Sequence, residues 1–356
     1  MNSCVFRCDR LLALVLAATA AWPATAQDYV LTAKPVRRVE GVQTFDVKYP
    51  NFKASEWVAF AAAAPELPSQ QDVSTRLSPS GKTTTEESDL KRPIVMVRVA
   101  AGEDQASHFR FTVTYQATLL ERRLIPLAKG AKPPKVDPLT DAEKTWYLAP
   151  TKTFYDYEAR PFQDWLDQHG VRKKGNEDEV AFARRVLLVI ANTCTYEYRL
   201  DDDRHASAVC RAGKSDCGGL SVLFAAALRA NGVPARSLLG HHAESAVPGA
   251  KIGDIPFTRQ HTRAEFFAPG VGWVPVDPSV ALSYKWNQAV MMYLCFGYDA
   301  GDFLVDQVDY DLVLDTGVYG KQTAPWVWCS AWPIGNGERT NPVLSDDWKV
   351  RPLPLR

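Results

Sequence analysis

Three patterns in the 356-residue sequence predict an α+β protein with a β-rich N-terminal domain and a second domain of helices and strands. Apolar and polar residues alternate in several stretches of residues 27–127, as they do in strands with one buried face. The run Lys129-Gly-Ala-Lys-Pro-Pro-Lys135 is typical of a linker, which we place at residues 128–140. Beyond it, in residues 141–356, apolar residues recur at helical spacing.

The composition is that of a globular protein with a full core, since 46% of the residues are hydrophobic and 23% are charged. Lysine and arginine together number 41 and equal the 41 aspartates and glutamates, so the formal net charge is zero. A neutral chain has no general attraction to nucleic acid or to an anionic membrane. We therefore expect no nucleic-acid partner.

The first 26 residues have the pattern of a cleaved secretory signal. Arg7 and Arg10 precede the apolar run 11–22, and the small residues Ala24-Thr-Ala26 follow it. The apolar run is shorter than the roughly 20 residues that span a bilayer. We expect residues 1–26 to be a signal peptide, the mature chain to begin at Gln27, and the protein to be secreted or periplasmic without an integral membrane anchor.

The sequence of residues 27–127 predicts an N-terminal domain of short strands that form a β-sandwich-like structure. The clearest strand covers residues 109–116, where every second residue is apolar, and residues 45–49 and 94–99 read similarly. In the second domain, residues 177–192 carry apolar side chains at helical spacing and predict a helix. A shorter helix is predicted around Phe162, Trp165 and Leu166.

The segment Ser215-Asp-Cys-Gly-Gly219 precedes a run of apolar residues that lie on one helical face. Ser215 or Asp216 is suited to cap this helix, which places Cys217 in its first turn. Unpaired N–H groups and the helix dipole lower the pKa of a thiol there and favour the nucleophilic thiolate. Gly218 and Gly219 would leave room for a substrate backbone. Taken alone, the segment fits a small buried structural cysteine slightly better than it fits a nucleophile.

A strand pair downstream carries a histidine and an aspartate. Residues 261–267 and 273–277 read as strands, and the residues between them read as a turn. With the turn centred on Pro269, His261 lies directly opposite Asp277, at the roughly 4.5–5.5 Å Cβ separation of cross-strand neighbours. Cysteine, histidine and aspartate in this arrangement are the parts of a thiol acyl-transfer triad.

These segments together resemble the transglutaminase-like superfamily. The resemblance rests on the runs 216–219, 228–236 and 272–278 together with His261, and it extends from roughly Tyr196 to Ser279. It implies a papain-like core in which the helix that bears the cysteine packs on an antiparallel sheet. It also implies that Cys217 is the nucleophile, His261 the general base and acid, and Asp277 the carboxylate that orients the imidazole.

The activity implied by the resemblance is acyl transfer from a peptide or protein amide. Water would resolve the acyl-enzyme in a protease or amidase, and an amine would resolve it in a transamidase; we lean towards hydrolysis because water is abundant outside the cell. The alternative is a catalytically silent binding module that keeps the fold. The sequence leaves open whether the N-terminal domain binds substrate, docks a partner or covers the cleft.

Further site residues are less determined by the sequence. The backbone N–H of Cys217 is the first candidate oxyanion donor, and Tyr196 or Tyr198 is the second, although either tyrosine fits equally well as an ordinary strand aromatic. Trp273, with Gly218 and Gly219, is a candidate for lining the substrate cleft. The C-terminal tryptophans are explained by strand packing or, alternatively, by a peptide-binding groove.

The seven cysteines become five when the signal is removed with Cys4 and Cys8. Five thiols cannot all pair in one chain, and the resemblance makes Cys217 the one that stays free. Among three possible pairings of the other four, we expect Cys194 with Cys210 and Cys295 with Cys329.

Metal and cofactor sites are not expected. His241, His242 and His261 with Asp254 lack the ligand spacing of a zinc site, and neighbouring histidines on a strand point to opposite faces. The acidic residues at 201–203 and 299–315 lack the EF-hand pattern of calcium sites and are better explained as solvated turns.

Overall fold

The computed structural model describes residues 29–326, 330–340 and 342–355. The predicted signal segment and Cys329 lie outside these ranges. Within them, no helix is both long enough and apolar enough to cross a membrane.

The first part of the chain is built from strands. In chain order these are β1 (Tyr29–Lys48), β2 (Phe52–Ala62), β3 (Gln70–Ser78), β4 (Lys82–Thr85), β5 (Pro93–Ala100) and β6 (His108–Pro126). A mostly helical part follows, with α1 (Asp141–Leu148), α2 (Arg160–Gln168), α3 (Glu179–Thr193), β7 (Thr195–Tyr196), α4 (Ala206–Ala212), β8 (Lys214–Ser215) and α5 (Cys217–Arg229).

Strands dominate again after α5. They are β9 (Ala235–His242), β10 (Lys251–Ile252), β11 (Ile255–Pro256), β12 (Gln260–Ala268) and β13 (Gly272–Val276), followed by α6 (Pro278–Ala281) and α7 (Gln288–Cys295). The last strands are β14 (Tyr298–Ala300), β15 (Phe303–Val308), β16 (Leu312–Asp315), β17 (Lys321–Ala324), β18 (Ser330–Gly337) and β19 (Val343–Leu353). Two short 3₁₀ turns cover Glu103–Gln105 and Leu282–Tyr284.

The N-terminal region is β-rich, as predicted. One sheet has the order β14-β6-β1-β19, with β3 also paired to β6, and a second has the order β18-β2-β5-β4. Apolar residues of both sheets form one core, in which Trp57 stacks on Phe109 with ring centroids 5.4 Å apart. The alternation in residues 109–116 has the predicted effect, because Phe109 and Phe111 are buried while Arg110 between them is exposed.

The two final strands join the N-terminal sheets, whereas the sequence analysis assigned them to the second domain. β18 pairs with β2, and β19 pairs with β1 along its whole length. Trp348 on β19 is fully buried and covers Gly41 of β1, where an added Cβ would lie 2.1 Å from the indole. β18 and β19 therefore complete the two N-terminal sheets. Local sequence patterns do not reveal such long-range pairing.

The second domain has the predicted arrangement of a cysteine-bearing helix on an antiparallel sheet. The sheet has the order β13-β12-β9-β15, and α5 packs against β12 and β9. Nearly every residue of α5 is buried, and α3 packs beside it. The predicted helix at 177–192 is α3, which begins after Asp178, whose Oδ1 accepts a 2.8 Å hydrogen bond from the backbone N–H of Ala181.

The turn between β12 and β13 is displaced by one residue from its predicted position. Ala268 pairs with Gly272, so the turn is centred on Gly270, and both glycines have positive φ angles of +77° and +101°. The register extended from this pairing places Asp277 opposite Arg263. The prediction that Asp277 lies directly opposite His261 is therefore wrong by two residues.

The N-terminal region and the second domain share a buried, charged interface. β14 of the second half pairs with β6, and Arg122 on β6 is 1% exposed. The Arg122 guanidinium donates hydrogen bonds to Oε1 of Glu265 on β12, at 2.5 Å, and to the backbone carbonyl of Trp273 on β13, at 3.1 Å. The segment 128–140 thus connects two parts that are in close contact.

Candidate active site

Cys217 is the first residue of α5, and Asp216 is its N-cap. Oδ1 of Asp216 accepts a hydrogen bond of 3.1 Å from the backbone N–H of Gly219, as expected for a carboxylate at this position. Cys217 is partly exposed, while its neighbours Gly218 and Gly219 are buried. The helix start therefore presents the thiol at the surface of an otherwise closed core.

Gly218 and Gly219 lie in closely packed surroundings. An added Cβ at Gly219 would lie 2.1 Å from Oγ of Ser215, and one at Gly218 would lie 3.1 Å from the hydroxyl of Tyr310. The proposed cleft residue Trp273 is 8% exposed and packs edge-on against Tyr147, with ring centroids 4.9 Å apart. All three of these residues are buried.

His261 connects the thiol to the carboxylate. Its Nε2 lies 2.7 Å from Oδ2 of Asp277, and Cys217 is close enough to the ring to help raise its pKa. Since Nε2 is engaged by the carboxylate, Nδ1 is the nitrogen that remains for the thiol. Burial alone would lower the pKa of His261, but the Asp277 carboxylate and Cys217 together raise it to about 10. The imidazole is therefore held in its protonated form at neutral pH.

Asp277 is fixed by hydrogen bonds to both of its oxygens. Oδ1 caps α6 by accepting from the backbone N–H of Val280 and from the hydroxyl of Ser279, each at 2.9 Å, and Oδ2 faces His261. Burial opposes ionisation of this carboxyl, but His261 and Arg263 hold its pKa well below the ordinary value. Asp277 consequently presents a charged, oriented oxygen to the imidazole.

Arg263 is a site residue that the sequence analysis missed. Its Nε lies 3.5 Å from Oδ2 of Asp277, and its two terminal nitrogens lie 3.3 Å from Oδ1 of Asp299 and 2.9 Å from Oδ1 of Asp302. The residue follows His261 by two positions on β12, so both side chains lie on one face of the strand. That spacing, with the correct turn register, would have identified it.

His242 stacks on His261, with ring centroids 4.9 Å apart and planes inclined by 22°. Burial lowers the pKa of His242 to about 3, aided by the neighbouring charges of His261 and Arg263. A neutral imidazole thus covers one face of the charged one. His241 points the other way, as expected, and hydrogen-bonds Asp306 through Nδ1 at 3.1 Å.

Metal binding has no counterpart in the described ranges. No group of three or more histidine, cysteine, aspartate or glutamate side chains in residues 29–326, 330–340 and 342–355 is arranged to hold a metal ion. His241 is buried in a polar junction between β9 and β1, where its Nε2 lies 3.3 Å from the amide nitrogen of Gln43.

Three tyrosine hydroxyls lie near Cys217. β7 runs parallel to β8 and pairs Tyr196 with Ser215, two residues before the thiol. Burial, followed by the charges of Cys217 and Asp216, raises the pKa of Tyr196, and the pKa of Tyr198 is raised by the same three causes. Both predicted oxyanion candidates are therefore protonated donors. Tyr310, which the sequence analysis missed, is a third: it is buried next to Gly218, and burial raises the pKa of its phenol.

The cysteines outside the site are free thiols where the structure describes them. Cys194 and Cys210 are both buried and unbridged, so the pairing predicted between them is not formed. The Cys210 thiol instead donates to the carbonyl of Ser207 at 3.3 Å. Cys295 is also free, and its predicted partner Cys329 lies outside the described residues. Cys217 differs from these three thiols because it alone among them is partly exposed.

Comparison with known proteins finds a family model that matches the part of the chain containing these residues. Residues 168–278 match the model of the transglutaminase-like superfamily, and the matched range contains Cys217, His261 and Asp277. Residues 168–278 therefore form a transglutaminase-like domain, which confirms the resemblance noted in the sequence.

Two individual proteins are similar to the chain. A proposed cysteine protease from Cytophaga hutchinsonii, known from its crystal structure, is 14% identical, with a TM-score of 0.54 over 92% of this chain and 94% of that chain. At this identity the likeness shows a shared fold. An uncharacterized protein of Haemophilus influenzae is 31% identical over 24% of this chain. The match spans 30% of that relative's length.

Proposed function

We propose that the protein is a thiol enzyme in which Cys217 attacks the carbonyl carbon of a peptide or protein amide. The observation that carries the proposal is that His261 is hydrogen-bonded to the Asp277 carboxylate and lies close enough to Cys217 for that side chain to help raise the pKa of the imidazole. A thiol at a helix N-terminus beside an imidazolium is the environment in which cysteine becomes a nucleophile.

The chemistry of acylation follows from these charges. The Cys217 sulfur forms a bond to the carbonyl carbon, and the tetrahedral intermediate then collapses with cleavage of the C–N bond. The proton on Nδ1 of His261 passes to the leaving nitrogen, so the amine departs neutral. Asp277 holds the imidazole in place and compensates its charge before the transfer.

Deacylation reverses the role of His261. The neutral imidazole removes a proton from water or from an amine as that molecule attacks the thioester, and the Cys217 sulfur leaves. With water the reaction is hydrolysis, and with an amine it is transamidation. We favour hydrolysis, because the N-terminal signal pattern supports an extracytoplasmic location, where water is the abundant acceptor.

Oxyanion stabilisation would come from donors around the start of α5. The first N–H groups of a helix have no acceptor within the helix, which suits the backbone N–H of Cys217 to this role. Tyr196 and Tyr198 supply protonated phenols close to the thiol.

The proposal is tested by digestion of a peptide library in the presence of a primary-amine probe, with products identified by mass spectrometry. We expect cleaved or deamidated peptides with the wild-type protein and none with Cys217→Ser. Probe-bearing peptides instead of hydrolysed ones would show that transamidation dominates. If the wild type forms neither class of product and is as inactive as Cys217→Ser, the proposal is contradicted. Cys210→Ser is the matched control and should retain activity, because Cys210 lies in α4, outside the proposed series.

A further inference from the structure

We propose that Arg204 is a positioning residue whose guanidinium cancels the negative charge of Asp216 beside Cys217, so that the helix keeps its acidic cap without repelling the thiolate. The inference deepens the proposed function and rests on it. It assigns a role to a residue outside the series of Cys217, His261 and Asp277.

The Arg204 guanidinium contacts both carboxylate oxygens of Asp216, and the pair is largely buried. Nε of Arg204 lies 3.1 Å from Oδ1 and 2.9 Å from Oδ2 of Asp216, and Nη2 lies 2.6 Å from Oδ2. The Asp216 side chain is 4% exposed and that of Arg204 is 20% exposed. Bidentate pairing of this kind fixes both the geometry and the charge of the carboxylate.

The negative charge of Asp216 favours the start of α5 but disfavours a thiolate at Cys217, and a cationic partner reduces the second effect. Oδ1 of Asp216 caps α5, and a carboxylate at this position also interacts favourably with the helix dipole. The next residue, however, is the proposed nucleophile, and a neighbouring negative charge disfavours a thiolate. A guanidinium bound to the same carboxylate removes most of that repulsion while leaving the cap intact.

Arg204 also holds the loop that precedes α4. Its Nη1 donates to the carbonyl of Asp202 at 3.0 Å, and Nη2 donates to the carbonyl of Arg199 at 2.7 Å. The backbone around the acidic residues 201–203 is therefore held by the Arg204 guanidinium. The carboxylates of two of these residues lie within 3.8 Å of Arg199, and that of Asp203 contacts His205.

Other titratable groups also lie near the Cys217 thiol, and none of them is altered by the substitutions at positions 204 and 216. They are His261 on β12, Tyr196 on β7, Tyr198 in the loop that follows, and Tyr310 after β15. Differences between variants at positions 204 and 216 therefore report the proposed charge balance.

The test is the pH dependence of Cys217 alkylation by iodoacetamide, followed by peptide mass mapping, in the wild type, Arg204→Gln, Asp216→Asn and the double variant. In Arg204→Gln we expect the midpoint to rise by about one pH unit, which makes the reaction about tenfold slower at pH values below both midpoints. Asparagine is also a good N-cap but carries no charge. The double variant should therefore return to within about 0.3 units of the wild type, although it lacks the ion pair.

Each outcome decides the inference. An unchanged midpoint in Arg204→Gln, or an equal rise in the double variant, would overturn it, because the second result would show a purely structural role. Asp216→Asn alone should react with a midpoint at or below that of the wild type, and a rise there would overturn it even if Arg204→Gln fails to fold. Arg199→Gln is the matched control and should not move the midpoint. If wild-type Cys217 titrates like an ordinary thiol, the proposed function itself fails, which is a separate result.

Discussion

Nε of Arg263 lies 3.5 Å from Oδ2 of Asp277, the same oxygen that faces His261. Arg263 also contacts Asp299, whose other oxygen lies 3.4 Å from Arg122 of the N-terminal region. A continuous series of buried charges therefore leads from β6 to the proposed catalytic carboxylate. The N-terminal region supports the site electrostatically, in addition to any role it has in binding.

Arg122→Met should destabilise the protein strongly. It would leave the carboxylates of Glu265 and Asp299 buried with fewer partners, and removal of one member of a buried ion pair costs about 3–5 kcal/mol. Urea unfolding at pH 7 measures the loss. Arg123→Met is the matched control, because Arg123 stacks on Tyr293 and Tyr298 at the surface and should cost about 1 kcal/mol or less. Equal losses in the two variants would contradict a buried charge series.

Asp277→Asn should lower activity by about 10³–10⁴-fold with little change in fold. Asparagine can still cap α6 and contact His261, but it does not compensate the imidazolium. The comparison of kcat/KM for hydrolysis of a library-derived peptide by wild type and variant measures the effect. His205→Ala, which removes an exposed histidine paired with Asp203, should leave kcat/KM unchanged. A loss of less than tenfold in Asp277→Asn would contradict the assigned role.

The pairing of His261 with Asp277 predicts a specific dependence of stability on pH. The pKa of His261 is raised from 6.5 to about 10, so its contribution is fully present below pH 6.5 and is lost as the pH rises through 10. The free energy of unfolding should therefore fall more between pH 6.5 and 10 in the wild type than in Asp277→Asn. Parallel denaturation curves at several pH values measure the difference, and identical slopes for both proteins would contradict the raised pKa.

Gly219→Ala should destabilise the start of α5 by about 1–3 kcal/mol, because the new methyl group would lie 2.1 Å from Oγ of Ser215. The double variant Gly219→Ala/Ser215→Gly should recover part of this loss, since it removes the obstructing side chain. Thermal unfolding of the single and double variants measures both effects. Unfolding of Gly219→Ala at the wild-type temperature would show that this glycine is not needed for packing.

The local parts of the site follow from the sequence, while its long-range parts do not. The helix with Asp216 as cap and Cys217 in the first turn depends on neighbouring residues, and periodicity is sufficient to predict it. The register of β12 and β13 depends on two positive φ angles at Gly270 and Gly272, and a shift of one residue in the turn moved the predicted partner of Asp277 by two.

Contacts between segments that are distant in the sequence could not be predicted from the sequence patterns either. Trp348 was expected to pack among the last strands of the second domain, but it covers Gly41 in the N-terminal sheet more than three hundred residues earlier in the chain. Arg122 and Arg263 read as ordinary charged strand residues. Only the fold shows that carboxylates from distant segments surround them.

The measurement that tests the central claim most directly is the rate of Cys217 alkylation by iodoacetamide at pH 6 in the wild type and in His261→Ala. An ordinary thiol is almost fully protonated at this pH, whereas a thiol paired with an imidazolium is largely ionised. The account predicts that wild-type Cys217 reacts about 10- to 100-fold faster than Cys217 in His261→Ala. Equal rates, at the level of an unactivated thiol, would contradict the claim that Cys217, His261 and Asp277 form a thiol active site.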